Sequence, residues 1–240
     1  MQGFQLDARL EMPDTPVENW AVIAHCFGGS KDVLATSRVS KRLAEKGFGV
    51  LRFDFMGLGD SEGHFANSTF SSNIEDILSA CQYLDINFQP PTLLFGHSLG
   101  GALVLEAAAR LPKIQAVATL NAPSDPGHVT HLFADQVDTI QDQGAAFFDL
   151  AGKTLQIKKS FLTDLTTHNL LHTVRKLEKK ILVFHSRHDG IVPISHGESL
   201  FREAQGAKAF WTLDNSDHML NRQEDAYFIA DILHFWVKAT

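Results

Sequence analysis

The 240-residue chain predicts an α/β fold, a mostly parallel, doubly wound sheet with helices on both faces and a short cap-like insertion. Three observations carry this expectation. Short apolar runs at 20–24, 48–55, 93–95, 116–120 and 180–185 lack the alternation of half-exposed strands, as expected of strands covered on both faces. Segments of helical period separate them, giving the strand–helix rhythm of parallel crossovers. Hydrophobic residues make up 44% and charged residues 20%, so one globular domain over 1–240 can bury both faces of such a sheet.

In order, residues 3–11 alternate Phe4, Leu6, Ala8 and Leu10 with polar side chains, the period of a strand with one wetter face. Pro13 and Pro16 turn the chain. The run 20–24 reads as a central strand and enters His25-Cys26-Phe27-Gly28-Gly29-Ser30. Val33, Leu34, Val39 and Leu43 place a helix over 32–46, which Gly47 ends. Strand 48–55 opens into a glycine-rich loop that runs from Asp54 to Gly63. Ile74, Ile77, Leu78, Cys81 and Leu84 place a helix over 71–87, stopped by Pro90 and Pro91. Strand 93–95, a helix over 102–110 and strand 116–120 follow, the last closed by Asn121-Ala122-Pro123.

Residues 124–178 break the rhythm. A hairpin over 147–157 turns at Gly152 among polar helical pieces. The segment reads as an insertion over the strand ends, too short to be an independent domain. Strand 180–185, a helix within 193–204, strand 209–213 and an amphipathic helix over 225–238 complete the chain.

The chemistry concentrates at Gly96-His97-Ser98-Leu99-Gly100. A G-x-S-x-G pentapeptide between a buried strand and a helix is the setting of a nucleophile elbow. The sharp turn brings neighbouring backbones close, which favours glycine at 96 and 100. It also lifts the Ser98 hydroxyl to a helix N-terminus, where developing negative charge is favoured. A serine there needs a base, and the base needs a group that fixes its tautomer. In this architecture the order is serine, acid, histidine. Asp189 and His218 each follow a predicted strand, on the sheet edge where Ser98 emerges.

Among the twelve histidines, His97 flanks the serine and points away from it. His185 belongs to a strand, His188 to the acid loop, and His25 stiffens the loop after its own strand. Asp217 adjoins His218 and cannot reach its ring well, which leaves Asp214 as the rival acid. Leu99 N–H supplies one oxyanion donor and Phe27 N–H the second, with Gly28-Gly29-Ser30 letting that backbone approach the elbow. The pocket candidates are Phe133, Phe147, Phe148 and Phe161 of the insertion together with Met219. The loop Gly57-Leu58-Gly59-Asp60-Ser61 lacks full dinucleotide spacing and reads as a tight structural turn. Arg175, Lys176, Lys179 and Lys180 read as a solvated helix end.

The net charge of −7 argues against nucleic acid or an anionic membrane as partner. Cys26 and Cys81 have neither zinc-ligand nor disulfide spacing. Neither a signal peptide nor a long apolar span is read at the sequence level, so the cytoplasm is the expected location.

These motifs together resemble the α/β-hydrolase superfamily over essentially the whole chain. More narrowly, Lys31-Asp32-Val33-Leu34-Ala35, Asn121-Ala122-Pro123 and Gly127-His128-Val129-Thr130-His131 are similar to the hydrolase fused to OsmC-like domains and its stand-alone relatives. Cys26 stands where many esterases have glycine. The resemblance implies a serine hydrolase of small carboxylic esters. Ser98 would be its nucleophile, His218 its base and then acid, Asp189 the orienting group, and Phe27 and Leu99 the oxyanion donors. It implies no metal and no organic cofactor, and names an OsmC-like protein as a partner. A serine aminopeptidase-like peptidase would share every one of these residues. A non-catalytic partner module on the same fold is the reading of a different class.

Overall fold

The apolar runs become strands of one sheet. The computed structural model describes residues 3–238. Its strands are β1 (Ala8–Glu11), β2 (Asn19–Ala24), β3 (Phe48–Phe53), β4 (Leu93–His97), β5 (Ala116–Leu120), β6 (Ala145–Leu150), β7 (Lys153–Lys158), β8 (Lys180–Ser186) and β9 (Lys208–Leu213). Seven of them form a sheet in the order β1-β3-β2-β4-β5-β8-β9, while β6 and β7 form a separate antiparallel pair. Every pairing in the large sheet is parallel except β1 with β3. The chain is thus an α/β hydrolase fold, as the sequence predicts.

The helices are α1 (Leu34–Glu45), α2 (Phe70–Asn87), α3 (Leu99–Ala108), α4 (Val137–Gln143), α5 (Lys159–Leu165), α6 (Leu170–Lys176), α7 (Ile194–Glu203) and α8 (Gln223–Lys238). Successive strand residues point to opposite faces. Ala21, Ile23, Phe95, Ala118, Leu182 and Phe184 pack with the buried side chains of α1 and α8. Val22, Leu94, Val117 and Val183 pack with those of α2, α3 and α6. Each buried Phe or Leu contributes about 1.5–3 kcal/mol. No helix among the described residues is long and apolar enough to cross a membrane.

The bounds of β1 and α3 differ most from the sequence expectation, for local reasons. β1 is confined to its four residues because residues before it bond to a loop instead of a ladder: Glu62 N–H donates to Gln5 O and Asp54 N–H to Asp7 O. α3 begins at Leu99, directly on the elbow, so Ser98 itself is the residue that flanks the helix.

The insertion begins with a kinked 3-10 run, Pro126–Gln136, followed by α4, the β6–β7 hairpin, α5 and α6. Its Val129, Phe133, Ile140, Phe148, Ile157 and Phe161 join the same buried cluster as the α2–α3 face.

Candidate active site

The elbow is sterically enforced. Ser98 has φ 55° and ψ −126°, a region that side-chain-bearing residues rarely occupy. It is held there on both sides, since Ser98 N–H donates to Leu120 O and Gly101 N–H donates to Ser98 O, each at 2.8 Å. A Cβ at position 96 would lie 2.2 Å from Gly100 O, and one at position 100 would lie 2.4 Å from His25 O. Only glycine allows the backbones to approach this closely.

Three strand ends bring Ser98, His218 and Asp189 together. The His218 Nδ1–H donates to Asp189 Oδ2 at 2.7 Å, which leaves the Nε2 lone pair facing the Ser98 hydroxyl at 3.0 Å. All three residues are buried. Burial alone would raise the Asp189 carboxyl. The hydrogen bond and charge of His218, with the N–H groups of Val192 and Ile191, hold it below its ordinary value instead. Those two amides converge on Asp189 Oδ1 at 2.8 Å each and fix the carboxylate plane. Chemically, the line can move a proton from a serine hydroxyl to an imidazole held in one tautomer.

The second backbone of the site is the loop after β2. Phe27 N–H has no acceptor among the described residues, and Leu99 N–H stands at the first position of α3, where no intrahelical acceptor exists. Neither N–H therefore has a backbone acceptor among the described residues. His25 braces this loop. Phe55 N–H donates to its Nε2 at 3.3 Å, so its proton sits on Nδ1 and is donated to Cys26 O at 2.7 Å. Burial lowers the His25 pKa to about 4 and raises the Cys26 thiol to about 11, so Cys26 is a poor nucleophile at neutral pH.

The Phe27 ring packs against Phe65 of the loop after β3 and, in the insertion, against Phe133, Phe148 and Phe161, at centroid distances of 5.5, 6.1, 6.1 and 5.7 Å. The pocket candidates are thus divided. Phe133, Phe148 and Phe161 are buried around Phe27, and Phe161 is only 1% exposed. Phe147 points to the other face of the hairpin at 62% exposure, where it borders a cleft with Asn67, Gln156 and Lys158. Met219, beside the histidine, is partly exposed. The hairpin also meets the loop after β2 through Leu150 and Leu155: a Cβ on Gly28 would lie 2.7 and 3.3 Å from their methyl groups.

Other candidates lie outside the hydrogen-bonded line. Asp214 pairs with Arg187 at the surface at 2.8 Å, and Asp217 bonds Asn221. Arg175 pairs with Glu203, and Lys179 donates to Leu111 O and Ile114 O, so this basic stretch is tied down more than its sequence suggests. The glycine-rich loop turns at Gly57, Gly59 and Gly63, all with positive φ. Beside it the Lys31 ammonium lies 2.9 Å from Asp7, 2.8 Å from Asp54 and 2.8 Å from Asp60. Those three carboxylates converge closely enough to hold a cation, and Lys31 supplies it. Burial opposes the Lys31 charge, yet the three carboxylates raise its pKa. Burial likewise opposes the Asp54 charge, and Lys31 keeps that carboxyl low.

Three buried residues near the site carried no functional reading in the sequence. Asn121, at the end of β5, bonds His218 O; His97 does so too, and His185 bonds Val192 O through its Nε2–H at 2.8 Å.

The family profile described as alpha/beta hydrolase fold matches residues 19–154. The solved esterase domain of a Rhodothermus marinus protein is 40% identical, with a TM-score of 0.77, covering 96% of this chain and 91% of that one. Est1E from Butyrivibrio proteoclasticus, solved with ferulic acid bound, has a TM-score of 0.83 at 23% identity over 100% of this chain and 98% of its own, a likeness of fold. The mitochondrial palmitoyl-protein thioesterase ABHD10 of Mus musculus is 34% identical over 155 residues, covering 61% of this chain and 50% of its own length. The chain thus spans about half the length of the thioesterase relatives it matches.

Proposed function

The chain belongs to the α/β-hydrolase family, and from that premise we propose that it is a serine hydrolase of small carboxylic esters working through an acyl-enzyme. One observation carries the reading: the unbroken line from Ser98 through His218 to Asp189. In the proposed cycle His218 Nε2 accepts the hydroxyl proton as Ser98 Oγ attacks the carbonyl carbon. Phe27 and Leu99 N–H groups receive the oxyanion, each donor worth about 3–4 kcal/mol. The imidazolium then protonates the departing alcohol, and water repeats the sequence to release the acid. Asp189 holds the tautomer and balances the imidazolium charge.

The aromatic cluster around Phe27 fills the insertion side of the oxyanion loop, which favours short acyl groups. Thioesters are the second reading, favoured by the identity to a palmitoyl-protein thioesterase, because the same line of residues serves both. An OsmC-like partner and a cytoplasmic location belong to the proposal, to be tested by co-purification and cell fractionation.

The decisive experiment treats pure protein with a serine-reactive phosphonate and assays p-nitrophenyl esters, acyl thioesters and peptide amides side by side. The expected result is labelling at Ser98 and ester turnover that Ser98→Ala abolishes. An intact fold with neither labelling nor turnover overturns the proposal in favour of a binding module. Turnover of amides alone replaces the esterase with a peptidase.

A further inference from the structure

Asn121 lies between the acid strand and the histidine loop, and every polar atom of its side chain is used. Its Oδ1 accepts Ser186 N–H at 2.7 Å, at the end of the strand that leads to Asp189. Its Nδ2 donates to His218 O at 3.0 Å and to Asp217 O at 3.2 Å. Its own N–H donates to Phe184 O at 2.9 Å. The residue is fully buried and has φ 50°, a left-handed conformation that Asn tolerates better than other residues with a side chain. A second donor reaches the same carbonyl from the nucleophile side: His97 Nε2–H donates to His218 O at 2.8 Å, and its Nδ1 has no partner. Burial, and next the neighbouring His218 charge, lower the His97 pKa to about 3, so it remains a neutral donor with its proton on Nε2.

We infer that Asn121 is the positioning residue of the site, and that with His97 it clamps the His218 carbonyl so that the imidazole is held between Ser98 and Asp189. The inference rests on the proposed hydrolase chemistry and adds a group that never touches substrate. The other anchors of the His218 loop hold its neighbours and not the His218 carbonyl: Leu220 N–H donates to Asp217 O at 3.4 Å, Ser186 Oγ donates to Ser216 O, Ser216 Oγ to Asp225, Asn221 Nδ2 to Asp217, and Arg38 to Asn221 O. Losing the clamp frees the backbone that carries the ring. A misplacement on the order of 1 Å at such a site costs about 10²-fold in rate.

Asn121→Gly keeps the positive φ and removes all three side-chain bonds. Asn121→Asp keeps the shape and the acceptor for Ser186 N–H, but turns an oxygen toward two carbonyls. Each variant is expected to lose about 10²-fold in kcat with little change in KM. In Asn121→Asp, activity relative to wild type is expected to rise as pH falls, because a protonated carboxyl regains an O–H donor toward the carbonyls. The groups facing position 121, namely His97, His185, Asp189, Asp217 and His218, are common to both proteins and largely cancel in that ratio. His97→Gln, which keeps a donor, should retain more activity than His97→Leu.

A readout independent of turnover is the low-field proton resonance of the His218 Nδ1–H bonded to Asp189, expected to weaken or shift in both Asn121 variants. An unchanged resonance with kcat near wild type in folded Asn121→Gly overturns the inference. If that variant fails to fold, Asn121→Asp decides by the same two readouts. Ester turnover surviving in Ser98→Ala would defeat the hydrolase reading alone, and the resonance would still decide the clamp.

Discussion

Replacing Asp189 by Asn should nearly abolish activity, because its surroundings dictate how the new amide must sit. Asp189 Oδ1 receives two N–H groups, from Ile191 and Val192, each at 2.8 Å. An amide nitrogen in that place would face two donors and leave both unpaired, at about 1–3 kcal/mol each. The amide oxygen therefore takes that position, and the NH2 group takes that of Oδ2, 2.7 Å from His218 Nδ1. His218 must then present a lone pair at Nδ1 and carry its proton on Nε2, 3.0 Å from Ser98 Oγ. A protonated Nε2 cannot accept the serine proton. Wrong-tautomer variants of this chemistry lose about 10⁴ in kcat, equivalent to about 5.5 kcal/mol at about 1.36 kcal/mol per tenfold. The assay is kcat and KM on p-nitrophenyl acetate, with thermal unfolding recorded on the same preparation. Asp214→Asn is the comparator: it removes only an exposed pair with Arg187, and should cost under about 1 kcal/mol of stability with turnover retained. If Asp189→Asn keeps more than about a tenth of wild-type kcat, or if Asp214→Asn is the crippled variant, the tautomer argument fails.

Other expectations follow from the same geometry. Ser98→Gly should abolish turnover yet gain about 1 kcal/mol of stability by relieving the positive φ, net of the entropy of glycine; a lower Tm would show that the elbow stores no strain. Phe161→Ala should lose about 3–5 kcal/mol, whereas exposed Phe147→Ala should lose under about 0.5 kcal/mol, as read by urea denaturation. On a kcat/KM profile from acetate to octanoate, Phe148→Ala should move the optimum toward longer chains and Phe147→Ala should not; identical profiles would reduce Phe148 to a core residue. The fold should also be acid-sensitive. His25 and His97 fall from an ordinary 6.5 to about 4 and about 3, so below pH 6.5 the unfolded chain takes up two protons that the folded chain refuses. Asp76, which burial raises to about 6, binds one proton in the folded state and offsets one of these. These three groups alone should lower stability by about 1.4 kcal/mol per pH unit between about pH 6 and 4, and His185, His196 and His234, which burial also lowers, add to the fall; a urea midpoint that stays flat over that range contradicts the assignment of neutral buried imidazoles.

The parts of this protein legible in its sequence are those whose physics is local. A short apolar run, Leu93-Leu94-Phe95, followed by G-x-S-x-G can fold in few ways, so the elbow and its helix were readable. Asp189 and His218 were readable because chain order and strand ends constrain them. The rings of Phe133, Phe148 and Phe161 could be assigned to the insertion, but not to a cluster around Phe27, because that contact depends on how residues 124–178 fold back. Phe147 and Phe148 differ by one position, and only the β6–β7 register decides which faces the core. Asn121 escaped because its bonds join residues 65 to 97 positions away, and no pattern in a short window reports such a partner. Lys31 was hidden likewise: a lysine beside an aspartate at the start of a helix reads as surface, until three distant carboxylates surround it.

The hairpin has a bearing on how such a chain can diversify. It forms a sheet of its own, turns through Ala151 and Gly152, both at positive φ, and touches the loop after β2 at Gly28 through the side chains of Leu150 and Leu155. A tip so placed is a natural crossover point for recombination. Its length and side chains can be exchanged between homologues, or randomised in a library, while the seven-stranded frame and the Ser98 elbow are inherited unchanged.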